Sequence, residues 1–409
     1  MTPPPLPGHD MEPYKINISD KKLSQLRAKL ELATFPEETP LSNDWQYGVP
    51  VTDIKRLVQY WQNGFDWRQQ EKMLNSKLPQ FTTTIEVEDL DPLTIHFVHQ
   101  RSKRANAIPL LFCHGWPGSF IEVLKILPLL TDPEDDSQPA FHVIAPSLPG
   151  FGFSSAPTKP GFGIVHYAEC LNRLMIQLGY MIYATQGGDW GFSITRFLGI
   201  EYPHQIIASH LNYVWASAPS LSRTPLLYLQ SLFTPLGEKE KKGLERTKWF
   251  YDKGFAYNQL QTHNTATIGL MIRDSPVGLL TWIYEKLHDW TDDYPWTDDE
   301  ILTWTSIYWF SEAGPEASVR IYYETTHPSD KRLLEYTSGV KLGLSTFPKD
   351  LIVSPKLYGR TLGPVVFEAV HEEGGHFAAY EKPELLVGDL RKMFGKGNKS
   401  LDLELVFWR

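Results

Sequence analysis

The 409-residue chain has little cysteine, no long apolar run and no block of charge of one sign. Its 2 cysteines, Cys113 and Cys170, cannot form a disulfide framework and lack the CxxC spacing of a metal site, so we expect two buried, reduced thiols. The N-terminal stretch has no apolar segment typical of a secretory signal. The apolar stretch 121–130 contains charged residues and is shorter than the ~18 residues that a membrane span needs. We therefore expect a soluble, cytoplasmic protein without a membrane anchor.

The charge balance also limits the partners. Acidic residues (48) outnumber basic ones (39), which gives a net charge of −9 and argues against nucleic acid. A hydrophobic share of 42% and a charged share of 21% are ordinary for a globular protein and exclude a disordered chain. Aromatic residues, with 13 Trp, 19 Tyr and 21 Phe, are unusually frequent. Beyond the core, they indicate a pocket for an apolar ligand.

Short apolar runs bounded by turn residues recur along the chain, and such runs are typical of strands buried on both faces of a sheet. They are Ile108–Cys113, Phe141–Ala145, Met181–Thr185, Ile206–Leu211 and Val365–Ala369. Helical patterns lie between the earlier runs. The alternation predicts an α/β fold with a mostly parallel sheet and helices on both faces.

Two segments fall outside this alternation. Residues 215–340 are rich in Trp and Tyr and helical in pattern, without a clear buried strand, and they predict an inserted helical domain. The N-terminal region shows helical patterns and a strand pair, Phe81–Glu88 with Leu93–His99. The predicted segments are an N-terminal domain (1–105), the first part of the α/β core (106–214), the helical insertion (215–340) and the second part of the core (341–409).

The most informative motif is Gly187-Gly188-Asp189-Trp190-Gly191, between a predicted strand and a helical run. A small-x-nucleophile-x-small pentad at such a place forms a nucleophile elbow, in which the middle side chain projects above the sheet. Here the middle residue is Asp189, and a carboxylate can attack carbon to form an alkyl ester. The alternative is an ordinary glycine-rich turn with an N-capping aspartate.

In this arrangement an acid and a histidine follow the nucleophile along the chain. His376 comes after two glycines and the last predicted strand, and it is the candidate base. Asp350, just before the apolar residues 351–353, is the candidate acid, and a surface aspartate beside Lys349 is the alternative reading. The run that starts at His371 resembles the HExxH zinc motif, but its second histidine comes one position too late, so no metal is predicted.

The sequence His114-Gly115-Trp116-Pro117 ends a predicted strand. An oxyanion hole in this fold takes one backbone N–H from the residue after the nucleophile, Trp190, and one from this loop. Proline has no N–H to donate and favours an extended conformation in the residue before it. The amides of Trp116 and Trp190 are therefore the predicted oxyanion donors.

Together these motifs resemble those of the α/β-hydrolase superfamily and, within it, the epoxide hydrolases of the microsomal type. The HGxP motif, the aspartate elbow and the histidine loop all match, and Phe65-Asp66-Trp67-Arg68 resembles part of the family's N-terminal meander domain. The resemblance implies an α/β-hydrolase fold with a helical lid, a small-molecule epoxide as substrate and no cofactor. It also implies, by resemblance alone, a homodimer. Because the animal enzymes begin with a membrane anchor, the chain looks like the soluble microbial or fungal members.

The family uses two lid tyrosines that hydrogen-bond the epoxide oxygen, and its pattern points to Tyr257 and Tyr322. Neighbouring residues on a helix point ~100° apart, so Tyr322 and Tyr323 cannot both face the site. The glutamate that follows the pair, Glu324, favours Tyr322.

The implied reaction has two steps. Asp189 attacks an epoxide carbon while Tyr257 and Tyr322 protonate the oxygen, and His376, oriented by Asp350, then activates a water that hydrolyses the ester to a vicinal diol. Apolar or aromatic epoxides are the expected substrates. Three alternatives remain: a haloalkane or haloacid dehalogenase with the same Asp and His, an ester or peptide hydrolase, which the aspartate in place of serine disfavours, and a non-catalytic binding protein of the same fold.

Overall fold

A sheet of nine strands runs through the computed structural model, which describes residues 11–398 and residue 401. The strands are β1 (Glu12–Tyr14), β2 (Gln80–Ile85), β3 (Leu93–Gln100), β4 (Ile108–Cys113), β5 (Phe141–Pro146), β6 (Tyr183–Gly187), β7 (Ile206–Leu211), β8 (Lys341–Thr346) and β9 (Val365–Val370). Their order in the sheet is β1-β2-β3-β5-β4-β6-β7-β8-β9. The pairs from β1 through β3 to β5 are antiparallel, and the pairs from β5 to β9 are parallel.

Burial explains why the central strands were visible in the sequence. All residues of β4, β5 and β6 are buried, and β4 and β5 read as continuous, mostly apolar runs. β6 begins two residues later than the run predicted from Met181, because Met181 and Ile182 are exposed and precede the strand. β8 was missed because Leu342 and Leu344 are interrupted by Gly343 and by Ser345, whose buried hydroxyl donates to Asp389 at 2.6 Å. The sheet therefore resumes at Lys341, and the apolar residues 351–353 lie in the loop after β8.

Helices cover this sheet and fill the long connection between β7 and β8. They are α1 (Asp20–Glu31), α2 (Val51–Asn63), α3 (Trp67–Lys77), α4 (Ile126–Thr131), α5 (Ile164–Gln177), α6 (Trp190–Glu201), α7 (Pro225–Phe233), α8 (Glu238–Trp249), α9 (Ala256–His263), α10 (Thr265–Asp274), α11 (Pro276–Asp289), α12 (Asp298–Trp309), α13 (Arg320–Thr326), α14 (Lys356–Gly359), α15 (Ala378–Glu381) and α16 (Pro383–Phe394). α6 packs on β4, β6 and β7, and α16 packs on β8 and β9. In the part of the chain that the structure describes, no helix combines the length and apolarity needed to cross a membrane.

The inserted helices, α7 to α13, are attached to the N-terminal helices as well as to the core. α1 and α2 pack against α11, and α2 also packs against α12. The Lys29 ammonium lies 2.6 Å from the Asp274 carboxylate, and the Tyr60 hydroxyl donates to Asp299 at 2.9 Å. Ser19 caps the first helix by accepting from the Lys22 amide. The contacts of α1 and α2 therefore tie the insertion to the N-terminal helices.

Candidate active site

The turn between β6 and α6 holds Asp189 in a conformation that is rare for a residue with a side chain. Its φ is +51° and its ψ is −127°. A Cβ atom on Gly191 would lie 2.0 Å from the Cys113 carbonyl oxygen, and one on Gly187 would lie 2.4 Å from the Gly191 carbonyl oxygen. Only glycine allows this close packing, which turns the chain sharply and projects the Asp189 carboxylate from the end of the strand.

His376 and Asp350 lie beside Asp189 because β6, β8 and β9 are parallel and end at the same edge of the sheet. His376 follows β9, and its Nδ1 lies 2.6 Å from Asp350 Oδ1. Its Nε2 lies 3.4 Å from Asp189 Oδ2. The second hydrogen bond of Asp350 Oδ1 comes from the Leu351 amide at 2.7 Å. The structure therefore places the three predicted residues side by side, with His376 between the carboxylates of Asp350 and Asp189.

Charge strongly favours the protonated form of His376. Burial of the ring lowers its pKa, but the nearby Asp350 and Asp189 carboxylates raise it more, and the result is a pKa of about 10. With Asp350 2% exposed, the Asp350–His376 interaction is shielded from water. At neutral pH the resting site thus holds an imidazolium between two carboxylates.

The predicted oxyanion loop contacts the other oxygen of Asp189. The Trp116 amide donates to Asp189 Oδ1 at 2.8 Å, and a Cβ atom on Gly115 would lie only 2.2 Å from the same oxygen. Trp190, the other predicted donor, is the first residue of α6, where amides lack an intrahelical acceptor. Its amide makes no hydrogen bond within the described residues. The Trp116 amide, one of the two predicted oxyanion donors, therefore already contacts Asp189.

Hydrogen bonds from the inserted helices hold the oxyanion loop in place, and sequence reasoning did not anticipate these contacts. From α12, the Trp304 indole donates to the Pro117 carbonyl and the Tyr308 hydroxyl donates to the Gly118 carbonyl at 2.6 Å. Both donors are nearly 200 residues away from their acceptors along the chain. No local motif reports such a contact, and an excess of buried aromatics was the only signal.

Tyr257 on α9 and Tyr322 on α13 face the same cavity as Asp189. Their ring centroids are 6.0 Å apart, and Tyr257 stacks on Trp116. Burial raises the pKa of both phenols well above the usual value, so both stay protonated at neutral pH. Tyr323 is 42% exposed and stacks on His327, so the structure places Tyr322, not its neighbour, in the site.

The cavity that these tyrosines share with Asp189 has a volume of about 430 Å³. Its walls are mostly apolar and include Ile164, Phe197, Trp215, Phe250, Phe255 and Leu351. A cavity of this size with a few convergent polar groups suits a small organic molecule. Over the residues that the structure describes, no cluster of His, Cys, Asp and Glu has the arrangement of a metal site.

A second cavity, of about 20 Å³, also borders Asp189, and its lining includes the polar residues Glu122, Gln186, Asn212 and His376. Sequence reasoning did not identify Glu122, Gln186 or Asn212 as site residues. The signal available for Glu122 was its position as a charged residue inside an apolar run.

The fold and this site define an enzyme of the α/β-hydrolase fold with a carboxylate at the nucleophile position. The family described as "Epoxide hydrolase N terminus" matches residues 11–123, and the family described as "alpha/beta hydrolase fold" matches residues 108–296. Among curated relatives, a protein of Stigmatella aurantiaca (strain DW4/3-1) with the provisional name of an epoxide hydrolase is 38% identical, covering 93% of this chain and 84% of that protein. Epoxide hydrolase 1 of Sus scrofa is 33% identical, covering 94% of this chain and 88% of that protein.

A solved structure, the Aspergillus niger epoxide hydrolase, has a TM-score of 0.83 and 36% identity, covering 94% of this chain and 96% of that one. The chain belongs to the epoxide hydrolase family. It is a hydrolase that acts on small-molecule epoxides, and the family's reaction proceeds through an ester on an aspartate.

Proposed function

We propose that Asp189 is the nucleophile that opens the epoxide ring. The observation that carries this proposal is the elbow geometry together with the 2.8 Å contact from the Trp116 amide to Asp189 Oδ1. With Oδ1 held by that amide, Oδ2 remains to attack carbon. The amide is then already placed where the oxyanion forms when the ester is hydrolysed, and the Trp190 amide completes the hole. A general base would have no use for this arrangement.

Tyr257 and Tyr322 are the proposed acids of ring opening. An alkoxide is a strong base, and two protonated phenols that face the Asp189 carboxylate can hold the epoxide oxygen and protonate it. The Tyr322 hydroxyl lies near Tyr257 and Trp190 but makes no hydrogen bond of normal geometry within the described part of the chain, so it can bind substrate. Each phenol supplies one donor to the developing charge. The proton that a phenol gives to the alkoxide is replaced by the proton of the His376 imidazolium, so ring opening leaves both phenols protonated and His376 neutral.

His376 is the proposed base of the second step, with Asp350 as its partner. Asp350 accepts from Nδ1, which orients the ring and leaves Nε2 toward Asp189. After ring opening, Nε2 takes a proton from a water that attacks the ester. The diol then leaves and the carboxylate is restored.

The mostly apolar walls of the cavity support apolar or aromatic epoxides as the preferred substrates. We also propose that residues 215–340 act as a lid on a core formed by 106–214 and 341–409, with residues 1–105 as a supporting N-terminal domain. Limited proteolysis that releases a folded 215–340 fragment would argue against a docked lid. A cytoplasmic homodimer is the proposed state, and a monomeric mass in light scattering would refute the dimer.

The test of the nucleophile is a single turnover of an aromatic epoxide such as styrene oxide in ¹⁸O-labelled water. Because the oxygen transferred to the product comes from the enzyme, the diol should be unlabelled and the label should appear in the Asp189 carboxylate. Later turnovers should then carry label into the diol. A fully labelled diol in the first turnover would mean that water attacks the epoxide directly.

A further inference from the structure

The groups proposed for the two reaction steps border two different cavities beside Asp189. The large cavity is bordered by Tyr257 and Tyr322, and the small one is bordered by His376. Among the described residues Asp189 alone borders both. The base of the second step therefore faces a compartment that is separate from the substrate pocket.

The small cavity has the size and the polarity of a site for one water molecule. A volume of about 20 Å³ exceeds the ~10–15 Å³ that a water requires. Gln186 is 1% exposed, and its Oε1 has no hydrogen-bond partner in the described part of the chain. Its Nε2 donates to Asn212 Oδ1 at 2.5 Å, which fixes the orientation of the amide. A buried acceptor without a partner in a polar cavity points to a bound water.

Glu122 provides the second polar wall of this cavity. Its carboxyl packs against Gly118, where a Cβ atom would lie 1.9 Å from Glu122 Oε1. Burial raises the pKa of Glu122, His376 lowers it and Asp189 raises it, with a result of about 8. Glu122 is therefore mostly protonated at neutral pH and can donate a hydrogen bond to a water.

We propose that this cavity holds the water that hydrolyses the ester, with Glu122 and Gln186 holding it against His376 and Asp189. The inference rests on the proposed function. The alkyl group of the ester occupies the large cavity, so water reaches the Asp189 carbonyl carbon from the small one. Glu122 donates a hydrogen bond to the water oxygen, and Gln186 Oε1 accepts a hydrogen bond from the water.

The step balances without a further reactant. The other proton of the water passes to neutral His376 Nε2 while its oxygen bonds to the Asp189 carbonyl carbon. The bond between that carbon and the diol oxygen then breaks, and the departing oxygen takes the proton from His376. Asp189 is left as a carboxylic acid, and its proton, the second one of the water, passes to His376 Nε2, which restores the carboxylate and the imidazolium. Glu122 is unchanged at the end of the step.

The kinetics of a two-step reaction give a direct test with styrene oxide. A defect confined to ester hydrolysis lowers kcat and KM together and leaves kcat/KM unchanged, because kcat/KM depends only on steps up to ring opening. Glu122→Met keeps the length of the side chain and removes its hydrogen bonds. It should slow ester hydrolysis by at least about tenfold, the effect of one lost hydrogen bond to a reacting group. The ester on Asp189 should then accumulate in intact-mass spectra, with kcat/KM within about twofold of the original value.

Three further variants complete the experiment. Glu122→Gln, which still donates and accepts, should recover most of the hydrolysis rate. Gln186→Met should reproduce the defect of Glu122→Met and serves if that variant does not fold. Glu169→Gln is the matched control, because Glu169 is equally buried but pairs with Arg173 on α5, away from both cavities.

The inference is overturned if Glu122→Met and Gln186→Met hydrolyse the ester at the original rate, or if kcat/KM falls in step with kcat. A Glu122→Gln protein as slow as Glu122→Met would also overturn it, since Glu122 would then transfer a proton rather than hold the water. Failure of the proposed function looks different: the unaltered enzyme itself would form no ester on Asp189 in a single turnover.

Discussion

Replacing Tyr322 with phenylalanine should reduce activity without reducing stability. The side chain is 2% exposed, and its hydroxyl lies near Tyr257 and Trp190 but makes no hydrogen bond of normal geometry within the described residues. The folded protein therefore bears the cost of a buried, unpaired donor until substrate arrives. Phenylalanine has the same ring and removes only that group.

The expected effects of Tyr322→Phe on the free energy of unfolding and on the rate of ring opening have opposite signs, and both are large enough to measure. An unpaired buried hydroxyl costs roughly 1–3 kcal/mol, so the free energy of unfolding should stay constant or rise by about 1–2 kcal/mol. For a chain of 409 residues, 1 kcal/mol corresponds to about 1 °C in Tm. Loss of one donor to a developing oxyanion costs about 3 kcal/mol, which slows ring opening roughly 100-fold.

The assay combines single-turnover formation of the ester with thermal unfolding of the same preparations. Tyr323→Phe is the matched control, because Tyr323 is exposed and stacks on His327 with ring centroids 4.6 Å apart. It should change neither ring opening nor Tm. Normal ring opening in Tyr322→Phe with a slow Tyr323→Phe would refute the assignment, and a loss of stability above about 1 kcal/mol would refute the argument from the unpaired hydroxyl.

The remaining predictions concern the second step and the oxyanion loop. His376→Gln should form the ester on Asp189 and fail to hydrolyse it, and an active variant free of adduct in intact-mass spectra would contradict the base assignment. Asp350→Asn removes the carboxylate 2.6 Å from His376 Nδ1, so ester decay should slow while ring opening is retained, though less than in His376→Gln. Tyr308→Phe loses the 2.6 Å bond that ties α12 to the oxyanion loop, which should lower the free energy of unfolding by about 1 kcal/mol and slow ester decay in the same assay. The rate of ester hydrolysis should rise with pH, because only neutral His376 accepts a proton, and its apparent pKa should lie below the free-enzyme value of about 10. A rate that falls with pH over this range would refute that role.

The parts of the fold that could be predicted from the sequence were those in which burial leaves a local pattern. β4 and β7 have the predicted bounds, since fully or mostly buried strands are continuously apolar. β8 could not be found in this way, because Gly343 and Ser345 are buried for reasons that involve distant partners. α3 was also missed, as only 3 of its 11 residues are buried and one of them is a glutamate.

The same distinction between local patterns and distant contacts applies to the residues of the site. Asp189 and His376 could be proposed from motif and chain order, because the elbow needs glycines at fixed offsets. Asp350 followed only from its place before an apolar run, and the tyrosines only from family resemblance. Glu122 had only its place as a charged residue in an apolar run as a signal, since the polar residues that share the small cavity with it, Gln186, Asn212 and His376, come from β6 and from the loops after β7 and β9. Contacts between such distant segments leave no periodicity in the sequence.

The raised pKa of His376 at first conflicts with its proposed role as a base. In the free enzyme the imidazolium lies between two carboxylates and holds its proton at neutral pH. Ring opening converts Asp189 into a neutral ester and removes one of the two charges that raise the pKa. Burial, which lowers the pKa, remains. The intermediate thus favours the neutral imidazole that hydrolysis needs, and the restored carboxylate favours reprotonation after the diol leaves.

The same electrostatics connects the chemistry to stability. Because the folded pKa of about 10 lies above the ordinary value of 6.5, protonated His376 stabilises the fold. That contribution is fully present below pH 6.5 and is lost as the pH rises through about 10. In the ester the pKa of His376 in the folded protein is lower. The protonated ring therefore contributes less to the free energy of unfolding at neutral pH, and raising the pH removes less of that contribution. The covalent intermediate is therefore the state in which the free energy of unfolding depends least on His376, and it is also the state in which that residue has to release its proton.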